Sequence, residues 1–138
     1  MTRAVVWVRG VAMLSCLAGV TGCGDDNATT TPTTVTSPTT VTWSTLIGAK
    51  GTSSRGFTTS QAGLVSVTLQ ASPVALGIGV GITPSGGGVC RPAVSQTVSP
   101  GDAPLTTSVE QGDYCVLVYD VGGIGADQIA FTVALEYP

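Results

Sequence analysis

Residues 114–137 read YCVLVYDVGGIGADQIAFTVALEY, and they carry the clearest fold signal in the chain. Residues 114–121 are apolar on both faces and rich in aromatic and β-branched side chains, which is typical of a central strand covered on both sides. Residues 129–137 alternate apolar with small or polar side chains throughout, which indicates a half-buried strand. The glycine-rich segment 122–127 predicts a loop between these two strands.

Further strands are predicted upstream, where short alternating runs are broken by Gly, Pro, Ser and Asp. The alternating positions are Val41, Trp43, Thr45 and Ile47; Val65, Val67 and Leu69; Leu76, Ile78, Val80 and Ile82; and Leu105, Thr107 and Val109. A Gly/Ser/Arg-rich loop is expected between the first and second runs. With no convincing helix, about seven to eight strands predict an all-β fold, an antiparallel, jelly-roll-like β-sandwich.

One predicted strand has an unusual face. Gly77, Gly79 and Gly81 alternate with its apolar residues, so one side of the strand carries no side chains. We expect something to lie close against this bare face.

The N-terminus has the form of a secretory signal. Arg3 and Arg9 precede a mostly apolar run at residues 11–20. Only fifteen uncharged residues separate Arg9 from Asp25, whereas a spanning helix needs about 20 predominantly apolar residues. Residues 1–22 are therefore predicted to be a signal peptide that is removed.

The four residues that span the end of this signal and the next residue, Val20-Thr21-Gly22-Cys23, resemble a bacterial lipobox. The resemblance implies that Cys23 is lipidated and anchors the protein in the bacterial cell envelope, where more than one acyl chain gives stable attachment. Gly24 after the cysteine favours an outer membrane, if the organism has one. The alternative is an ordinary cleaved signal peptide with an incidental cysteine.

A tether is predicted to follow the anchor. Residues 28–42 contain nine threonines and two prolines, and such a segment has too little apolar surface to offset the entropy of ordering. We therefore divide the chain into a signal peptide (1–22), a lipidated cysteine with a Thr/Pro-rich linker (23–42) and a β-sandwich domain (43–138).

The cysteine count predicts one disulfide. Cys16 lies in the removed peptide and Cys23 takes lipid, which leaves Cys90 and Cys115 as a pair in an oxidising compartment. Two free buried thiols are the alternative. Two thiols without histidine do not make a zinc site.

Composition excludes several classes of function. The chain has 5 Lys+Arg against 8 Asp+Glu and no histidine. Removal of Arg3 and Arg9 leaves Lys50, Arg55 and Arg91 as scattered single charges and a net charge of −5, so nucleic-acid binding is not expected. Without histidine the commonest general base is missing, and we predict that the protein is not an enzyme.

Two stretches resemble a known family, the bacterial pre-peptidase C-terminal domain. Residues 112–122, GDYCVLVYDVG, are similar to its late strands, in which a Gly-x-Tyr turn opens a central strand. Residues 57–69, FTTSQAGLVSVTL, are similar to its early strands. The family's Asp-Leu-Tyr is replaced by Ala75-Leu76-Gly77. The resemblance implies a jelly-roll-like sandwich with an accessory or binding role, and it supplies no catalytic residues.

Candidate ligand sites are few. Asp120 and Asp127 flank the 122–127 loop and are weak calcium candidates. The better explanation is that Asp120 accepts backbone hydrogen bonds at the strand end and that Asp127 caps a turn. The remaining acidic residues of the domain also lie mostly in turns and do not suggest a catalytic pair. An aromatic platform for sugars is conceivable from Trp43, Tyr114, Tyr119 and Tyr137, with core packing the better explanation for at least two of them.

These features predict a lipid-anchored, non-catalytic envelope protein that binds an envelope protein or a glycan. The expected binding surfaces are the loops 83–88 and 122–127, or the bare face at Gly77, Gly79 and Gly81. The alternatives are a structural spacer without a ligand and, least favoured, a small carboxylate-based glycan hydrolase.

Overall fold

The computed structural model describes residues 37–84 and 87–138, which form eight β-strands. Cys23 and the predicted signal peptide lie outside the described residues. The strands are β1 (Thr39–Ile47), β2 (Thr52–Thr59), β3 (Gly63–Ala71), β4 (Leu76–Ile82), β5 (Arg91–Val98), β6 (Leu105–Val109), β7 (Gly112–Asp120) and β8 (Ile129–Tyr137).

The strands form two four-stranded antiparallel sheets, in the orders β1-β8-β3-β6 and β2-β7-β4-β5. Consecutive strands along most of the chain alternate between the sheets, which is the eight-stranded, double Greek-key arrangement of a jelly roll. The predicted all-β sandwich is thereby confirmed. The two segments with the clearest signals, β7 and β8, both occupy interior positions in their sheets.

The core lies between the sheets and is built from the alternating apolar residues. Every second side chain of β3, β4, β7 and β8 points inward, because side chains along a strand alternate between its faces. Val65, Ile78, Val116, Val118 and Val133 are completely buried. Trp43, Tyr114 and Tyr137 are partly buried and pack against the core.

Two strands lie where no strand was predicted from the sequence. β2 (Thr52–Thr59) occupies the expected Gly/Ser/Arg-rich loop, and only Phe57 and Thr59 in it are buried. β5 (Arg91–Val98) is exposed at every residue except Val98. Both are edge strands that bury few residues, so neither shows over its length the alternation of apolar and polar residues on which the prediction relied.

The boundary of the sandwich also differs from the prediction. β1 begins at Thr39, so the last four residues assigned to the linker belong to the sheet. Thr40 and Thr42 are exposed, so no burial pattern marks them as strand residues. Threonine is nevertheless a good strand former once a neighbouring strand is present.

Candidate functional site

The antiparallel order of the strands gives the sandwich two different ends. The chain enters β1 at one end, which we call the entry end. Residues 83–84 and 87–90, the turns at 60–62 and 110–111 and Pro138 lie at the same end. The opposite end, the distal end, carries the loops 48–51, 72–75, 99–104 and 121–128. The sequence predicted ligand binding by the loops 83–88 and 122–127. The described residues of these two loops lie at opposite ends and do not form one site.

The bare face of β4 is filled by the protein itself. Gly77 lies under the ring of Tyr119, and a Cβ on Gly79 would lie 2.6 Å from the Cβ of Pro92. A Cβ on Gly81 would collide with the backbone of Arg91. The expectation of a close neighbour is confirmed, whereas the use of this face as a ligand surface is wrong, because all three glycines are buried under their own chain.

The predicted disulfide crosses the same face. Cys90 and Cys115 are joined, with their Cα atoms 5.8 Å apart. Cys115 in β7 pairs with Gly81 in β4, and Gly81 in turn pairs with Pro92 in β5. The disulfide thus ties the start of β5 to β7 across β4, and both cysteines are buried.

Tyr119 forms the floor of an open pocket on the outer face of this sheet, near the distal end. Its volume is about 400 Å³. Pro92, Leu117 and Tyr119 make its apolar part, and Lys50, Thr52 and Asp120 lie at its rim. We call it the Tyr119 pocket. Its lining residues come from three strands and two loops, so no contiguous sequence motif predicts it.

Asp120 organises the loops beside the Tyr119 pocket. Its Oδ2 accepts a hydrogen bond from the backbone N–H of Lys50 at 2.8 Å. Its Oδ1 accepts from the N–H groups of Gly122, Gly123 and Ile124 at 2.8, 3.0 and 3.2 Å. The carboxylate therefore joins the 48–51 turn to the 121–128 loop.

These hydrogen bonds also set the charge state of Asp120. The N–H of Lys50 is the largest influence that holds the pKa of this carboxyl below its usual value, and the N–H groups of Gly122, Ile124 and Gly123 act in the same direction. Lys50 itself has a positive φ of 56°, a conformation that few side chains adopt. The turn is therefore held by Asp120 in a specific shape.

The calcium candidates are not brought into a ligand cluster. Both oxygens of Asp120 already accept backbone hydrogen bonds, and residues 37–84 and 87–138 contain no group of three or more His, Cys, Asp or Glu residues placed to hold a metal ion. Calcium at Asp120 and Asp127 stays a prediction.

The other carboxylates lie at both ends of the sandwich, with Glu110, Asp113 and Glu136 near the entry end and Asp102 and Asp127 at the distal end. Asp102 accepts a hydrogen bond from the N–H of Ser99 at 2.7 Å, and Asp113 accepts one from the hydroxyl of Thr58 at 2.7 Å. These two carboxylates stabilise a turn and a strand pair.

The aromatic residues are also dispersed. Tyr114 and Tyr137 both contact Phe57, with ring centroids 5.7 and 5.1 Å from it, and form a cluster packed on the core. Trp43 lies under the guanidinium group of Arg55, whose central carbon is 5.4 Å from the ring centroid. Of the four aromatic candidates, Tyr119 alone lines the pocket described above, and the expectation of core packing for at least two is confirmed.

Comparison with known proteins gives one informative result. No protein-family model and no curated protein sequence matches the chain. Among solved structures, the chain is similar to PliG from Aeromonas hydrophila, a periplasmic lysozyme inhibitor of g-type lysozyme. The TM-score is 0.50 and the sequence identity 14%, over 74% of this chain and 87% of PliG. At this identity the similarity concerns the fold.

No helix within residues 37–84 and 87–138 is long and apolar enough to cross a membrane.

Proposed function

We propose that this protein is a non-catalytic component of the bacterial cell envelope, anchored by lipid on Cys23, that binds a protein partner through the Tyr119 pocket. The observation that carries the proposal is an open apolar pocket with a tyrosine floor, located at the end of the sandwich away from the chain entry. Tyrosines in such positions frequently dominate the energy of protein interfaces.

The fold similarity suggests which partner to test first. PliG inhibits a g-type lysozyme, and a lysozyme is a secreted protein that an envelope protein would meet. We propose a lysozyme as the partner class. The hydrogen bonds within the fold at Asp102, Asp113 and Asp120 favour binding over hydrolysis, because these carboxylates already stabilise local structure.

The test uses residues Thr34–Pro138, a compact unit that contains all eight strands, the core and the disulfide. Such a unit carries every element that the fold needs. We expect it to bind a g-type lysozyme in a calorimetric or surface-based assay and to slow lysozyme digestion of isolated cell walls.

A pair of variants connects the binding to the Tyr119 pocket. Tyr119→Ala is expected to weaken binding by tenfold or more, which corresponds to at least about 1.4 kcal/mol. Leu64→Ala is the matched control, because Leu64 is an apolar side chain, 60% exposed, on the outer face of the other sheet. Equal affinities of the two variants for lysozyme would contradict binding through the Tyr119 pocket.

Three other outcomes discriminate the alternatives. Sedimentation of the unit with purified peptidoglycan in the absence of lysozyme would indicate a glycan ligand and contradict the proposed protein partner. Release of soluble sugars from peptidoglycan by the unit alone would indicate a hydrolase. Failure to bind g-type and other lysozymes would contradict the proposed partner class, and the spacer alternative would then be preferred.

A further inference from the structure

The four edge strands of the sandwich differ in how well they are protected against pairing with another chain. An edge strand presents unpaired N–H and C=O groups, and proteins commonly guard such edges with charge, proline, bulges or short length. β5 contains Arg91 and Pro92 and has a bulge in its pairing with β4. β6 has only five residues, and β2 contains Arg55 and Gly56.

β1 has none of these protections. It reads TTVTWSTLI, with nine residues and no charge, proline or glycine. It pairs with β8 from Thr39 to Ile47 without a register shift. In a regular antiparallel pair the N–H and C=O groups of alternate residues point away from the partner, so on one side of β1 these groups pair with no other strand of residues 37–84 and 87–138.

The side chains of β1 also favour pairing. Six of its nine residues are β-branched, and Trp43 lies at its centre. Leu46, on the outer face, is 58% exposed although it is large and apolar. Arg55, which belongs to β2 in the opposite sheet, covers the ring of Trp43.

We infer that β1 is an interaction surface that pairs antiparallel with β1 of a second copy of this chain. A two-fold axis at Trp43 pairs residues that are equally far from Trp43 on its two sides. The pairs between the two copies are then Thr42 with Ser44, Val41 with Thr45, Thr40 with Leu46 and Thr39 with Ile47. Every pair is uncharged, and inward-facing residues meet inward-facing residues. The same patch thus serves both copies, as a closed two-fold contact requires.

The self-complementary edge is the reason to prefer a second copy over a different protein. β1 itself carries no charged side chain that would select a foreign strand, whereas the two-fold pairing brings two tryptophans together across the strands and covers part of Leu46. The contact would join two four-stranded sheets into one of eight strands. It is separate from the Tyr119 pocket, which lies on the other sheet.

Sedimentation velocity of the Thr34–Pro138 unit over a range of concentrations tests the inference. The wild-type unit is expected to form a dimer and no larger species. Thr42→Lys places a charge on the exposed outer face of β1 next to the same lysine of the other copy, and is expected to weaken dimerisation by more than tenfold. Thr106→Lys is the matched control, an exposed threonine on edge strand β6, and is expected to dimerise like wild type.

A second measurement does not depend on any variant. Amide hydrogen exchange in β1 is expected to slow as the wild-type concentration rises, while exchange in β5 and β6 stays constant. A wild-type unit that remains monomeric at all concentrations would overturn the inference. Equal weakening of the dimer by Thr42→Lys and Thr106→Lys would also overturn it, as would concentration-dependent protection at β5 or β6 instead of β1. Tyr119→Ala is expected to leave the dimer intact, so failure of the proposed function and failure of this inference are distinguishable.

Discussion

Asp120 illustrates how much of the distal end depends on one side chain. Its carboxylate accepts four backbone N–H groups from two loops, and its own N–H donates to the carbonyl oxygen of Gly51 at 3.1 Å. The sequence indicated a carboxylate that accepts backbone hydrogen bonds at a strand end. The link to the 48–51 turn was missed, because Lys50 and Asp120 are seventy residues apart in the chain.

Replacement of Asp120 by Asn is expected to lower stability at neutral pH, because the amide nitrogen of Asn cannot accept the hydrogen bond from Lys50. The folded-state pKa of Asp120 is lowered relative to the unfolded state. Its contribution is therefore fully present above the unfolded pKa of about 3.9 and is lost as the pH falls through the folded pKa.

Urea unfolding of wild type and Asp120→Asn at neutral and acidic pH measures this effect. The difference between the two midpoints is expected to be greatest at neutral pH and to shrink toward zero as Asp120 becomes protonated. Asp127→Asn, an exposed acidic residue in the same loop, is the control and should be close to wild type. A difference that stays constant down to acidic pH would contradict the assigned role of the charge.

Gly81 is a second single residue with a large expected effect. Gly81→Ala introduces a Cβ that would overlap the backbone of Arg91 and Pro92, and backbone cannot rotate away as a side chain can. We expect a loss of about 1–3 kcal/mol in the free energy of unfolding. Gly125→Ala, at a glycine with open space and no positive φ, is expected to change stability by less than about 0.5 kcal/mol. Denaturant unfolding compares them, and equal stabilities would contradict the packing described for β4.

At the level of strands, the sequence predicted those elements that bury one face. β3, β6, β7 and β8 follow alternating or continuous apolar runs, and their positions agree with the prediction within a few residues. β2 and β5 were missed because they bury few residues and obtain their structure from a neighbouring strand, a property that local composition does not encode.

The candidate site was less predictable than the fold. The glycine stripe of β4 correctly indicated a close neighbour, and the two remaining cysteines correctly indicated a disulfide. The Tyr119 pocket combines Lys50, Pro92 and Tyr119, which are far apart in the sequence. They come together because β7 pairs with β2 and β4, and β4 pairs with β5. The resemblance to the pre-peptidase C-terminal domain stays a prediction.

Removal of the disulfide is expected to affect β5 most. β5 pairs only with β4, and the disulfide is its direct link to β7. Closing a loop with a sequence separation of 25 contributes on the order of 3.5 kcal/mol in the loop-entropy estimate. Reduced protein should therefore unfold at lower denaturant concentration, and amide exchange should accelerate more in β5 than in β8. Equal acceleration in the two strands would mean that the cross-link stabilises the fold only globally.

At the scale of the whole molecule, the anchor is the central prediction. Cys23→Ala in the full chain removes the acyl chains and is expected to move the protein from the membrane fraction to the soluble fraction, because a net charge of −5 after signal removal gives no attraction to anionic lipid. Cell fractionation followed by immunoblotting measures this, with Cys16→Ala as the control that keeps the anchor. Membrane retention of the Cys23→Ala protein would contradict the lipobox prediction.

The position of β1 has a mechanical consequence. A pull on the N-terminal tether, opposed by a partner held at the distal end, acts parallel to the strands. Such a load acts in shear between β1 and β8. The hydrogen bonds of their nine residue pairs are then loaded together and do not break one after another. Single-molecule stretching from these two points is therefore expected to meet a high rupture force, whereas peeling β1 sideways from its edge would require much less.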